Sequence, residues 1–236
     1  MESPVRKTGF DCPLHFRQIL GWLLAALTTA AFTLLLLSTD WLIPGSVYLA
    51  TVAMTVLFAV KLTASDPTDY DATPLSDQAN LFCTQCNREV NWQSRHCKQC
   101  NRCVRKFDHH CKWVNNCVGQ SNYCTFVTLL VSLLFQLVVI WVESGVLLLE
   151  FWLDGAELSL QSFILASVLV LESGVLVPII VVFLIFHCWL RCKGLTTFEH
   201  LRPENTLLAA RIEIVDSPAG KKSSEAHEPS ITSDIQ

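Results

Sequence analysis

The sequence predicts an all-α multi-pass membrane protein with four transmembrane helices and a small cysteine-rich domain between helices 2 and 3. Three observations carry this reading: four apolar stretches long enough to cross a bilayer, a run of thiols and imidazoles confined between the second and third of them, and the placement of lysine and arginine. A hydrophobic fraction of 51% in 236 residues and a mean hydropathy of +0.40 put the chain in the membrane class.

A span needs about 20 consecutive apolar residues. The first runs from Ile19 to Thr39 without a charge, and the second from Gly45 to Thr63 with Lys61 near its end. The third runs from Phe126 to Leu149 and the fourth from Phe163 to Leu190, interrupted by Glu143 and Glu172 respectively. Both glutamates can be placed toward the lumenal half, where snorkelling or protonation suffices, so neither is assigned a role. Pro178 predicts a kink in the fourth span. A secretory leader fits the first stretch poorly, because an h-region of about 7–15 residues should meet a small-residue cleavage site, and this longer run meets Asp40-Trp41.

Positively charged flanks stay on the cytosolic side. Of the 17 lysines and arginines, three precede the first span, eight fall from Lys61 to Lys112 and six follow the fourth, while the Asp40–Pro44 and Glu150–Ser162 loops hold none. Both termini and the cysteine-rich loop are therefore expected in the cytosol. The net charge of −4 adds little, and no basic stripe suggests nucleic acid as a partner. Cytosolic thiols stay reduced, so closely spaced cysteines there point to metal rather than disulfides.

The expected organisation is a cytosolic N-terminus over 1–18, helices 1 and 2 within 19–63, the cysteine-rich domain over 64–125, helices 3 and 4 within 126–190, a juxtamembrane segment over 191–203 and a flexible tail over 204–236. The tail's polar, mixed-charge composition cannot bury a core. The polar approach to the cysteines, SDPTDYDATPLSDQAN over 65–80, reads as a linker. Glu143 to Leu147 echoes Glu172 to Leu176, too briefly to establish a repeat.

From Cys83 to Cys117 the run is C-x2-C-x9-HC-x2-C-x2-C-x4-DHHC-x5-C, seven cysteines and three histidines in 35 positions. Two tetrahedral zinc sites need eight such ligands, so two are in surplus. A module this short needs a metal or disulfides, since below about 40 residues a hydrophobic core rarely suffices. A thiolate committed to zinc is a poor nucleophile, so any reactive cysteine must lie outside both sites. Spacing alone does not assign the ligand pairings.

With Asp108-His109-His110-Cys111 the run resembles the DHHC-type protein S-acyltransferases, or palmitoyltransferases. The likeness continues through Trp113, through Cys117-Val118-Gly119-Gln120-Ser121-Asn122, similar to a CVGxxN ending, and to Thr196-Thr197-Phe198-Glu199, which fits a TTxE motif. It covers about Gln18 to Arg202. The resemblance implies interleaved zinc sites: Cys83, Cys86, His96 and Cys103 for one structural ion, and Cys97, Cys100, His110 and Cys117 for the other. His109 and Cys111 then remain unclaimed.

The resemblance further implies that Cys111 takes a long-chain acyl group, usually palmitoyl, from acyl-CoA and passes it through a thioester to protein cysteines near the membrane. Thiolate rather than thiol is the nucleophile, so a neighbouring base helps. His109 would take the proton and Asp108 would fix its tautomer. Bringing three adjacent residues together is expected to need a turn-like backbone held by the zinc framework. Trp113 would lie beside the acyl carbonyl, and Thr196, Thr197 and Glu199 would brace the catalytic loop. The implied partners are acyl-CoA, substrate proteins and the lipid bilayer, and the implied location is the Golgi or endoplasmic reticulum membrane.

Arg102, Arg105, Lys106 and Lys112 could attract CoA phosphates or be ordinary positive-inside charge. Cys124, Cys188 and Cys192, at membrane boundaries, could be acylated themselves or pack inertly. Two departures from the family pattern stand out: Val90 to Arg95 lacks the usual proline, and no aromatic-Asn-Gly motif follows the fourth span. A RING-like module is disfavoured because His110 and Cys117 stand alone where a RING ends in a Cys-x2-Cys pair. The intact Asp108, His109 and Cys111 weigh against a silent scaffold. A transporter would want paired polar groups in broken helices at the midplane.

Overall fold

The computed structural model describes residues 4–38, 42–70 and 81–202. Expectations for a linker over 71–80 and a tail from 204 lie outside these residues. Four helices are long and apolar enough to cross a membrane, and the protein is a multi-pass membrane protein. They are α1 (Phe16–Leu37), α2 (Leu42–Ala64), α3 (Tyr123–Leu153) and α4 (Leu160–Cys192). Each is richer in leucine, valine and isoleucine than in helix-breaking residues. Pro178 lies inside α4 without ending it.

The helices pack α3 on α4 and on α2, with α1 against α4. Their shared core is Phe32, Leu35, Tyr48, Ile140, Leu147, Ala166 and Leu169, while residues such as Leu171, Val175, Ile179 and Val182 on α4 stay exposed, as a lipid-facing surface requires. Glu172, given no role by the sequence, has a hydrogen-bond partner. Its carboxylate accepts a 2.7 Å hydrogen bond from Thr28 of α1, which ties α1 to α4.

Between α2 and α3 the cysteine-rich segment forms three antiparallel hairpins: β1 (Leu81–Cys83) with β2 (Arg88–Val90), β3 (Ser94–Cys97) with β4 (Arg102–Arg105), and β5 (His109–Cys111) with β6 (Asn116–Val118). They repeat every 14 residues. Cys83, Cys97 and Cys111 end the first strands; Asn87, Asn101 and Asn115 follow in the turns; Val90, Val104 and Val118 lie on the second strands. Each asparagine adopts a left-handed conformation, with φ of 49°, 49° and 51°, a region asparagine tolerates better than most residues. The first two turns read Cys-x2-Cys-Asn, while the third reads Cys111-x2-Val114-Asn115.

Register joins the units. His96 pairs with Cys103 and His110 with Cys117 across their hairpins, and each pair completes the Cys-x2-Cys set of the preceding hairpin. No fourth hairpin follows β6; the chain turns at Gly119 and enters α3. A Cβ on Gly119 would lie 2.4 Å from Val104 Cγ1 and 2.9 Å from the Arg105 carbonyl, so this turn needs glycine.

The approach over 65–70 is docked rather than a free linker. The buried Asp69 carboxylate accepts from the Asn91 N–H, the Ser94 hydroxyl and Arg105, and Asp66 pairs with the fully buried Arg102 at 3.1 Å. Two carboxylates paired with two guanidiniums hold the segment down.

Candidate metal centres and active site

Each metal cluster draws two ligands from a turn and two from the next hairpin. Cys83, Cys86, His96 and Cys103 form one, and Cys97, Cys100, His110 and Cys117 the other, with all ligand atoms of a set within 4.8 Å of one another. Zinc bonds of about 2.3 Å to sulfur and about 2.0 Å to nitrogen imply tetrahedron edges of about 3.5–3.8 Å. In the first cluster His96 Nδ1 lies 3.8, 3.3 and 3.9 Å from Cys83, Cys86 and Cys103 Sγ. In the second, His110 Nδ1 lies 3.9, 3.4 and 3.7 Å from Cys97, Cys100 and Cys117 Sγ.

The thiols themselves ask for a cation. Hydrogen bonding from Cys83 pushes the Cys103 pKa up, and Cys100 and Cys97 do the same to Cys117, so three thiolates cannot share either site without positive charge between them. Two zinc ions fit.

His109, His110 and Cys111 occupy one extended strand, not the turn expected from their adjacency. Side chains alternate across a strand. His110 therefore points to the second metal cluster, while His109 and Cys111 share the opposite face. The turns flanking β5 only position it.

Asp108 is buried and has three donors. Its carboxylate lies 2.7 Å from His109 Nδ1 and accepts from the Thr197 N–H at 2.9 Å and the Thr197 hydroxyl at 2.8 Å. Burial alone would raise its pKa, but these bonds hold it below the ordinary carboxylate value. For His109, burial pulls down, while hydrogen bonds to Asp108 and Cys111, with their charges, push its pKa up to about 9. Nδ1 is committed to Asp108, which leaves Nε2 for Cys111. The constellation can accept a thiol proton and hold the resulting imidazolium.

Cys111 packs against Leu62 of α2, Val114, Val118 and Phe126 of α3, at the junction of module and helices. Asn116, its cross-strand partner, donates to the Leu62, Thr63 and Ser65 carbonyls at 2.9, 3.2 and 2.8 Å and so fastens the hairpin to the end of α2. Asn122 reaches Ser65 Oγ and the Cys117 carbonyl. Thr196 and Glu199 form a reciprocal capping box at the start of α5 (Thr197–Leu201), which presents Thr197 to Asp108. Trp113 is exposed and rests against α1, where a Cβ on Gly21 would meet its ring at 3.1 Å.

Residues 76–204 match the family model described as DHHC palmitoyltransferase, more than half of the 236-residue chain. The chain belongs to this family. No curated protein matches it. As a DHHC palmitoyltransferase it is an acyltransferase acting on protein cysteines.

One buried polar residue beside the constellation of this DHHC palmitoyltransferase carries no motif of its own. His187 of α4 is buried, sits 3.1 Å from the Tyr123 hydroxyl through Nδ1, and places its ring 6.1 Å from that of His109; its Nε2 has no hydrogen-bond partner among the described residues. Nothing in an apolar helix marks such a histidine beyond its polarity. Arg102 and Arg105, read as candidate phosphate contacts, are engaged by Asp66 and Asp69 instead. Cys124, Cys188 and Cys192 are exposed free thiols.

Proposed function

We propose that the protein transfers a long-chain acyl group, palmitoyl in the first instance, from acyl-CoA to cysteines of membrane-proximal proteins through a thioester on Cys111. One observation carries the reading: Cys111 is the only cysteine of the run outside both metal clusters, and it shares a strand face with a histidine tied to Asp108. His109 Nε2 takes the Cys111 proton, and the thiolate attacks the acyl-CoA carbonyl. CoA leaves as thiolate and recovers a proton from His109. A substrate thiol then gives its proton to His109 and attacks the Cys111 thioester, which restores the free cysteine.

Asp108 orients the imidazole and stabilises its cation. Thr197, with Thr196 and Glu199 behind it, holds Asp108, and Trp113 flanks the reacting carbonyl. Zinc, when bound, holds its ligands deprotonated and gives the hairpins a fixed geometry. The acyl chain lies among the helices, where burial contributes about 0.8 kcal/mol per methylene. The module and both termini face the cytosol, as the basic flanks require, and the Golgi or endoplasmic reticulum membrane is the place of work.

The test is labelling of purified protein with a clickable long-chain acyl-CoA. Wild type acquires hydroxylamine-sensitive label, Cys111→Ser acquires none while retaining zinc, and Cys83→Ser loses zinc. Label on Cys111→Ser equal to wild type would falsify the nucleophile assignment.

A further inference from the structure

The first described residues do not trail from α1. They cross the back of the module as a strap. The Arg6 N–H donates to the Cys100 carbonyl at 2.9 Å and the Gly9 N–H to the Thr63 carbonyl at 2.7 Å. Arg102 donates to the Lys7 carbonyl at 2.6 Å, and Asn115 to the carbonyls of Gly9 and Pro13. Gly9 is seated so closely that a Cβ would lie 2.0 Å from the Val114 carbonyl. The strap is thus bound to the same turn that follows Cys111.

Strap, second hairpin and third hairpin together border an open cavity of about 290 Å³, whose polar walls are Arg6, His15, Gln99, Lys112, Asn115 and the metal-site residue His110. Its side chains present donors. The Arg6 Nη2 reaches the Asn115 carbonyl at 3.4 Å, but its buried Nε has no partner among the described residues. His15 Nδ1 accepts from the Arg17 N–H at 3.1 Å, which leaves Nε2 as the proton-bearing nitrogen. Lys112 adds an ammonium and Gln99 an amide. No carboxylate lines the cavity. Asp11, the nearest acid to Arg6 on the strap, is spent on the N–H groups of Lys7 and Thr8.

Position narrows the ligand. His15 immediately precedes α1, the first membrane-crossing helix; Leu14 lines the cavity, and Phe10, Phe16 and Ile19, close to it in sequence, are exposed. Such an apolar fringe beside converging cations fits the headgroup layer, where basic pockets at the ends of membrane helices hold phosphates. A planar guanidinium, an ammonium and neutral N–H donors converging on one volume suit a tetrahedral oxyanion.

We propose that this cavity is a phosphate-binding site, formed when the strap closes on the catalytic hairpin, and that it takes the phosphate of an anionic lipid headgroup or of a soluble phosphate ester. Either source fills the same volume with the same donors. Occupancy would pin Lys112, the residue after Cys111, to the strap, so the ligand would steady the reactive hairpin from behind.

Binding is measured on the full chain carrying Cys111→Ser, so that acyl transfer plays no part, in two arms. In nanodiscs, phosphatidylcholine alone is compared with phosphatidylcholine containing a phosphatidylinositol phosphate; in detergent, desulfo-CoA is titrated. Native mass spectrometry reads bound ligand and zinc together. We expect saturable binding in at least one arm, and the arm that responds names the source. Arg6→Gln with His15→Phe should weaken it by about ten- to a hundredfold, as expected for lost bonds to a charged group. Lys112→Gln, which leaves every strap hydrogen bond in place, should weaken it by about tenfold. Lys193→Gln, an exposed residue away from the cavity, should not change it. Absence of saturable binding in both arms, binding unchanged by the Arg6/His15 and Lys112 variants, or an equal loss in the Lys193 control overturns the proposal.

Discussion

Thr197 gives Asp108 two hydrogen bonds, one from its backbone N–H and one from its hydroxyl, at 2.9 and 2.8 Å. They come from a helix that begins only after the last membrane span has ended. The carboxylate bonded to His109 is therefore held by a residue 89 positions later in the sequence, so α4 and α5 act as an arm reaching back to β5.

Removing the hydroxyl alone tests that arm. Thr197→Val keeps the backbone bond and should slow acyl-enzyme formation by about tenfold or more, the usual worth of a hydrogen bond to a charged group. Thr197→Ser should restore most of the rate. Single-turnover labelling with zinc content measured in parallel separates this from misfolding.

His109 and Asp108 also link stability to pH. The His109 pKa stands at about 9 in the folded protein, against about 6.5 for a free imidazole. Folding therefore binds the proton more tightly, and the pair's contribution is complete below about pH 6.5 and lost as pH rises through about 9. Thermal unfolding in detergent should show wild type losing stability across that window, and Asp108→Asn should flatten the slope. A wild-type slope as flat as the variant's there would refute the charged pair.

Metal removal should divide the molecule. A strong chelator should unfold the three hairpins and stop labelling, because these short strands lack a core without their ions, while the four long helices persist. Far-ultraviolet circular dichroism should retain its helical signal as zinc release is followed with a chromogenic chelator. Cys103→Ala, which removes a ligand of the first cluster from the hairpin supporting the second, should release more than one of the two ions.

Close packing gives a fourth expectation. Gly119→Ala would drive a methyl to 2.4 Å from Val104 Cγ1 and should destabilise the module by about 1–3 kcal/mol, the range for overpacking. Differential scanning of the purified protein should show a lower transition for the variant, and Val104→Ala should recover part of the loss.

The ligand run was legible because zinc demands particular atoms at short separations, and Cys83 to Cys117 contains them in the family's order. The helices were legible because about 20 apolar residues admit few other readings. What escaped depends on contacts between distant segments. Asp66 and Asp69 look like polar linker residues until Arg102 and Arg105 are seen against them. Asp108, His109 and Cys111, within four positions, suggested a turn, whereas strand alternation alone puts His109 and Cys111 on one face. The 14-residue period was in view throughout, in Asn87, Asn101 and Asn115, but its third copy is disguised by Val114 in place of a cysteine.

That substitution, with no fourth hairpin after β6, bears on why the Cys111 sulfur lies outside both metal clusters. The fold is a chain of links in which each turn borrows a histidine and a cysteine from its successor, and the last turn has no successor to borrow from. Cys111 inherits the stiffness of a metal-gripping loop without the metal. The uncommitted thiol here comes from an assembly interrupted at its end.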